Sequence, residues 1–319
     1  MTDYKEKLVR RYWTYQKTCF PKVEGCFERP FAPGGRPPVF CRHKAEKNVI
    51  VKPDATQEEI SRLFSLLPKG ERHRWFHSMN SSQALAQSIL GNLAVYNQLS
   101  LLSELADDAG EPLLDKAQAS PENFFMEYKV SHLGEPRRTS LDGFIAGQCQ
   151  VAIECKFTEP EVGTCTRPLL KPSDSNYKTD LCNGTFTQQR GRKERCTLTE
   201  IGVLYWKYIP ELLKWQDDTD LDPCPLRKNF QLVRNILAVC VRPNGDVSPE
   251  NGHMVLIYDE RNPAFQEGGC GWAAVEETQQ ALKDSRLLRK CSWQHVVRQI
   301  RNKAVLPWLT RQLELKYGL

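Results

Sequence analysis

The residues from Thr139 to Glu159 read T-S-L-D-G-F-I-A-G-Q-C-Q-V-A-I-E-C-K-F-T-E, and Asp142, Glu154 and Lys156 stand among them at spacings that could do chemistry together. Paired carboxylates suit a hard divalent cation, which takes oxygen ligands and needs few of them from the protein. An ammonium group beside them adds the positive charge that a phosphate anion demands. The trio therefore suits metal-assisted hydrolysis of a phosphodiester.

Positioning them requires a hairpin. Val151, Ile153, Cys155 and Phe157 alternate with Ala152, Glu154 and Lys156, so a strand here has one apolar face and carries the acid and the base together on the other. The run Ser140 to Ala146 also reads as a strand, and Gly147 supplies a turn residue between the two. With Gly147, Gln148 and Cys149 as the loop, Ala146 pairs with Gln150 and Asp142 falls opposite Glu154. A loop one residue shorter sets Asp142 against Ile153, on the wrong face. The register is thus a definite expectation.

An E-x-K triplet alone says little, since this chain also has Glu127-Tyr128-Lys129 and Glu314-Leu315-Lys316. Glu314 lies in a predicted C-terminal helix, where that spacing splits the charges around the axis. Glu127 lies in a strand-like run, Phe124 to Val130, with no acid-bearing strand leading into it. Only Glu154 follows an aspartate-bearing strand at hairpin distance. The same spacing also fits a solvated patch of charge on an exposed sheet face.

At these residues the chain resembles a family. Leu141-Asp142 followed by Ile153-Glu154-Cys155-Lys156 is similar to the D…(D/E)-x-K signature of the restriction-endonuclease-like PD-(D/E)XK nuclease superfamily. Ser81-Ser82-Gln83-Ala84 opening a helix, Thr139-Ser140-Leu141-Asp142, Glu154-Cys155-Lys156-Phe157-Thr158-Glu159 and Phe230-Gln231-Leu232-Val233-Arg234-Asn235 together resemble a bacterial subfamily of it. The resemblance covers roughly Ser78 to Asp259 with some trailing helices, and its one departure is Leu141 where the superfamily name has proline. It implies an α/β (α+β) fold, with a restriction-endonuclease-like mixed central sheet flanked by helices. It implies a metal-dependent deoxyribonuclease, an endonuclease of restriction or defence type. Asp142, Glu154 and the Cys155 backbone carbonyl would bind Mg²⁺ or Mn²⁺, and Lys156 would orient or deprotonate water and stabilise phosphate charge. Glu127, Gln83 and Gln231 are accessory candidates; a partly exposed strand glutamate and ordinary cap or core hydrogen bonds are the alternatives.

A chain of 319 residues can form about two domains or one elaborated domain. We expect an irregular and helical N-terminal extension over 1–77, a nuclease core over 78–262 with a cysteine-bearing insertion at 158–197, and C-terminal helices over 263–319 packed on it. Within this, helices are predicted over Tyr4 to Lys17 and from a cap at Asp54 or Thr56 through Leu67, with Thr56 and Glu59 able to form a capping box. A long helix should run from Ser82 to about Asp108, and others near 199–215 and 225–238. Strands are predicted near 124–130, 139–146, 150–157 and from Met254 to Tyr258, with the chain mostly helical after Pro263.

The net charge of +5 permits nucleic-acid binding without demanding it. Arg190, Arg192, Lys193 and Arg195 crowd one loop and are the candidate DNA contacts; Arg137 and Arg138, and Arg286 to Lys303, form further basic groups. The N-terminus lacks the apolar core of a secretory signal, and no run approaches the ~20 apolar residues that span a bilayer. The chain therefore reads as cytoplasmic, its 12 cysteines as thiols or metal ligands rather than disulfides. The insertion lacks periodicity and carries Cys165, Cys182 and Cys196, with Cys224 after it. Zn²⁺ or an iron–sulfur cluster closing this loop is one reading and buried free thiols the other. Cys19, Cys26, Cys41 and His43 form a second such set, where free thiols are favoured. A non-catalytic nucleic-acid-binding protein with the same fold is the main alternative function, and an interaction protein is another. Double-strand cleavage would suggest a homodimer.

Overall fold

The computed structural model describes residues 3–21, 25–28, 36–114, 117, 119–136, 139–174, 177, 181–188 and 195–319. Helix α1 (Asp3–Cys19) and α2 (Gln57–Ser65) precede α3 (Ser82–Ala86), which passes through a π turn (Gln87–Gly91) into α4 (Asn92–Val95). Strands β1 (Phe124–Val130), β2 (Thr139–Ile145) and β3 (Gln150–Cys155) follow. Then come α5 (Thr197–Glu200), α6 (Tyr205–Leu212), α7 (Leu226–Cys240) and β4 (Gly252–Tyr258). The chain closes with α8 (Cys270–Ala281), β5 (Leu288–Ser292), α9 (Trp293–Asn302) and α10 (Pro307–Tyr317).

The strands form one mixed sheet in the order β1-β2-β3-β4-β5, with β1–β2 and β2–β3 antiparallel and β3–β4 and β4–β5 parallel. Parallel strands are flanked by helices on both faces and so read as continuous apolar runs. Every residue of β4 is buried, and so is β3 from Val151 to Cys155. On one side Val151, Ile153, Cys155 and Phe157 pack in a core with Tyr12, Leu85, Ile89, Leu93, Trp293 and Tyr317. On the other, Ala152, Met254 and Leu256 pack with Tyr205, Ile209, Leu232, Val233 and Ile236. This is the helix–sheet–helix sandwich that the element order predicts.

The hairpin register is the one with the longer loop: Gly143 pairs with Ile153, Phe144 with Ala152 and Ile145 with Val151. Continued one step, it sets Asp142 opposite Glu154. Thr56 and Glu59 form the capping box at the start of α2, with bonds of 2.7 and 3.2 Å.

Three expectations and one alternative need correction. The helix opened by Ser82 is capped by the Ser81 hydroxyl and ends at Val95, not near Asp108. Asn97 takes a left-handed conformation (φ 55°), and the N–H groups of Asn97 and Gln98 donate back to Ala94 and Leu93 at 3.2 and 2.7 Å. That paired closure is the Schellman stop, whose left-handed position is usually glycine and sometimes asparagine. The helix expected near 199–215 is two pieces, α5 and α6, because Gly202 sits at φ +93° between them. Strand β5 was expected to be helix: Arg289 and Lys290 hide its character, yet Arg289 is buried, bonded to the carbonyls of Pro112 and Arg286. Finally, the face of β3 that carries Glu154 and Lys156 is not solvated. Helix α7 covers it, leaving Glu154 1% and Lys156 7% exposed.

Candidate active site

Glu154 is the hub. Its Oε1 accepts from Lys156 Nζ at 2.8 Å and from Gln231 Nε2 at 2.6 Å, and its Oε2 accepts from Asn235 Nδ2 at 2.8 Å. Lys156 Nζ also donates to Gln231 Oε1 at 2.9 Å, closing a triangle of carboxylate, ammonium and amide. Gln231 and Asn235 stand four apart on α7 and so lie on one face of the helix, above β3. The Asn235 amide is oriented from behind, since its Oδ1 accepts Arg234 Nε at 3.0 Å and Nη2 at 2.8 Å, and Arg234 Nη2 reaches the Ser140 carbonyl. Each oxygen of this buried carboxyl group thus has a hydrogen-bond donor, as a polar group in an interior requires.

Asp142 reaches Glu154's neighbour instead: its Oδ2 accepts the Cys155 N–H at 2.7 Å, so a side chain extends the hairpin ladder beyond Gly143 and Ile153. Burial pushes the Asp142 carboxyl well above the usual range, and the charges of Glu154 and Glu127 push the same way. Lys156 feels burial, which pulls its proton off, but Glu154, Asp142 and Glu159 together outweigh that and hold the ammonium above the ordinary lysine value.

Glu127 lies on β1 between the pairs Met126–Gly143 and Tyr128–Leu141, which puts it in line with Asp142 across the sheet. The three acids thus form a row over three adjacent strands. Glu127 holds φ +50°, rare for a residue with a side chain, and such strain is kept where neighbours over-determine it. Burial raises its pKa first, with hydrogen bonds from Ser140 and Gln83 opposing. Gln83 donates to Glu127 Oε1 at 2.5 Å and to the Glu71 carbonyl at 3.2 Å, while its own oxygen accepts the His73 N–H at 2.8 Å. Gln83 therefore joins Glu127 to the 71–73 segment rather than capping its helix.

A glycine positions Gln231. Gly163 has φ +117°, and a Cβ there would meet Gln231 Oε1 at 2.2 Å. Only a residue without a side chain lets the amide lie where it does.

The donors suit a hard cation: burial first, and then the neighbouring acids of the row, hold the Asp142 and Glu127 carboxyls above their ordinary range, and a bound cation would favour their charged forms. Among the described residues no group of three or more His, Cys, Asp or Glu side chains is placed to hold a metal ion as it stands. Mg²⁺ asks for less than that, namely one or two carboxylates with water and substrate oxygens.

The basic loop contributes little that can be placed. Arg190, Arg192 and Lys193, with Arg137 and Arg138, lie outside the described residues. Arg195 is turned inward, paired with Asp220 and bonded to the Asp217 carbonyl at 2.6 Å. Of the C-terminal basic residues, Arg286, Lys290, Arg301 and Lys303 each pair with an acid. A basic surface that sequence reasoning missed lies beside Gln83. Arg42, His43, Lys69, Arg72, His73 and Arg74 line a cleft of about 410 Å³, together with Glu46, which pairs with Arg72 at 3.1 Å and with Lys69 at 3.9 Å. Trp75 is 51% exposed next to it, and Phe125 and Tyr128, flanking Glu127, are 42% and 39% exposed. Asn235 was missed too; its four-residue spacing from Gln231 was the available signal.

No described helix is long and apolar enough to cross a membrane. No curated protein and no solved structure matches the chain. One family model does, over residues 15–318, and its description is "restriction endonuclease associating with ARP". That span takes in every strand of the sheet and nearly every helix around it, so the fold is restriction-endonuclease-like and the chain belongs to this family of restriction endonucleases.

Proposed function

We propose that this protein hydrolyses phosphodiester bonds of DNA in a divalent-metal-dependent reaction, as an endonuclease of restriction or defence type. The observation that carries the reading is the convergence of Asp142, Glu154 and Lys156 at the end of one hairpin, with Glu154 bonded to both Lys156 and Gln231. Membership of a restriction-endonuclease family supports the same chemistry.

Asp142, Glu154 and the Cys155 backbone carbonyl would hold Mg²⁺ or Mn²⁺, which supplies polarisation of the scissile phosphate and a more acidic bound water. Lys156 serves as a cation: its proton is held more firmly than in an ordinary lysine, so it donates to a non-bridging phosphate oxygen as charge builds there. Gln231, which both accepts from Lys156 and donates to Glu154, fixes the directions of both groups. Glu127 and Gln83 tie the row of acids to the surface where substrate would arrive. That surface combines the basic cleft from Arg42 to Arg74 with exposed Trp75, Phe125 and Tyr128. Cations along a backbone and aromatic faces for bases are how nucleic acid is gripped without regard to sequence.

The test is nicking of supercoiled plasmid in Mg²⁺ by the wild type, Asp142→Asn and Glu154→Gln, each checked for folding by circular dichroism. Relaxed and linear products are expected from the wild type, with a loss of roughly 10³-fold or more in both variants, the scale of removing a group that acts in the transition state. A wild type that shifts DNA on a gel without cutting it would make this a binding protein. Equal cutting by all three would assign the activity to a contaminant.

A further inference from the structure

Outside this site, four thiols from separate parts of the chain are brought together by backbone hydrogen bonds. The Cys182 N–H donates to the Arg167 carbonyl at 3.4 Å, beside Cys165, and the Cys224 N–H donates to the Gly184 carbonyl at 2.9 Å, beside Cys182. Phe186 and Leu221 then exchange two bonds of 2.9 Å, fastening the same two segments further along. Cys196 enters from the start of α5, and Cys165, Cys196 and Cys224 share one apolar cluster with Phe186 and Trp206. Each of the four sulfurs is within electrostatic reach of the other three.

The local turns repeat. Cys165 accepts the N–H of Arg167, Cys182 that of Gly184 at 3.3 Å, Cys196 that of Leu198, and Cys224 that of Leu226. In every case the donor is two residues on. A neutral thiol is a weak acceptor with little need of such a donor, whereas a thiolate is stabilised by it. Four sulfurs, three of them buried and Cys165 half-buried, each followed by such a turn, form a set suited to holding a cation.

We propose that Cys165, Cys182, Cys196 and Cys224 bind one Zn²⁺ ion as a tetrathiolate site that fastens the 158–197 segment to the start of α7. Zinc is the choice because it favours four sulfur ligands in a tetrahedron, while the acids of the hairpin suit hard cations. In this structure no three of these sulfurs are yet placed to hold an ion, so binding must draw the side chains inward within turns already formed. The effect reaches the other site through Gly163, two residues before Cys165 and packed on Gln231. Zinc here is structural, and no step of hydrolysis passes through it.

Elemental analysis of the full chain, purified without chelator and passed over metal-free resin, is expected to give about one zinc per chain. Cys182→Ser and Cys224→Ser should lose most of it, while Cys270→Ser, an exposed cysteine outside the cluster, should keep it. Because serine variants can fail to fold, Co²⁺ exchanged into the wild type supplies a second reading. It should show an intense sulfur-to-cobalt charge-transfer band and visible bands of tetrahedral cobalt. Wild type without stoichiometric zinc and without those bands, zinc retained in both serine variants, or iron in place of zinc would each overturn the assignment.

Discussion

Two lysines are buried among the described residues, and their surroundings set them opposite tasks. Lys156 lies against Glu154, with Asp142 and Glu159 near, and is held as a cation. Lys316, 1% exposed in the seam between α1 and α10, donates to the carbonyl and the side-chain oxygen of Asn48 and lies over the rings of Tyr15 and Tyr317, and burial pushes its pKa down to about 7. The difference is the supply of negative charge, since desolvation opposes the ammonium at both places. A buried lysine is therefore no sign of a reacting centre. A buried lysine beside a row of acids is.

The sharpest way to break this contrast is to replace each lysine by methionine. Lys156→Met should lower DNA cleavage by roughly 10³-fold, and Lys316→Met should leave it within about twofold. Lys316→Met should act on stability against pH. The folded value of about 7 lies below the unfolded value of about 10.4, so the unfolded chain binds more protons between them. Stability should therefore rise with pH from about 7 to about 10, by at most about 1.4 kcal/mol per unit, and denaturant titrations should find that slope flattened in the variant. Equal loss of cleavage in both variants would dissolve the distinction.

A smaller effect is expected at Gly163→Ala, where the added Cβ meets the Gln231 amide on a backbone that disfavours side chains. Cleavage should fall about tenfold through kcat with little change in KM, because what moves is the group that aims Glu154 and Lys156. Smallest is Glu127→Gly. Relieving the left-handed strain should raise stability by about 1 kcal/mol while cleavage falls, the signature of a residue held under strain for function. Loss of stability together with cleavage would make Glu127 a structural residue.

Much of the hairpin was legible because a strand's period of two decides which side chains share a face, and one glycine fixes where counting starts. Asp142 opposite Glu154 follows from Gly147 and the alternation after it. What covers that face was not legible, since alternation is the same whether water or a helix lies above it. Gln231 and Asn235 gain their meaning only when α7 docks on β3. The same limit hid the cleft beside Gln83, whose basic residues come from segments some thirty positions apart. Strand β5 was lost because its arginine and lysine find partners only in the fold. The cysteine loop showed its thiols plainly, but the N–H donors that gather them belong to turns without periodicity.

The central claim is that Asp142 and Glu154 share a divalent cation at a phosphodiester-cleaving centre. Crystals of the protein with a DNA duplex and Mn²⁺, measured for anomalous scattering, test it most directly. A manganese peak in contact with both carboxylates and with a phosphate oxygen is the predicted result. Manganese absent from both, with Glu154 still bonded to Lys156, Gln231 and Asn235 in protein that cuts DNA, would contradict the account.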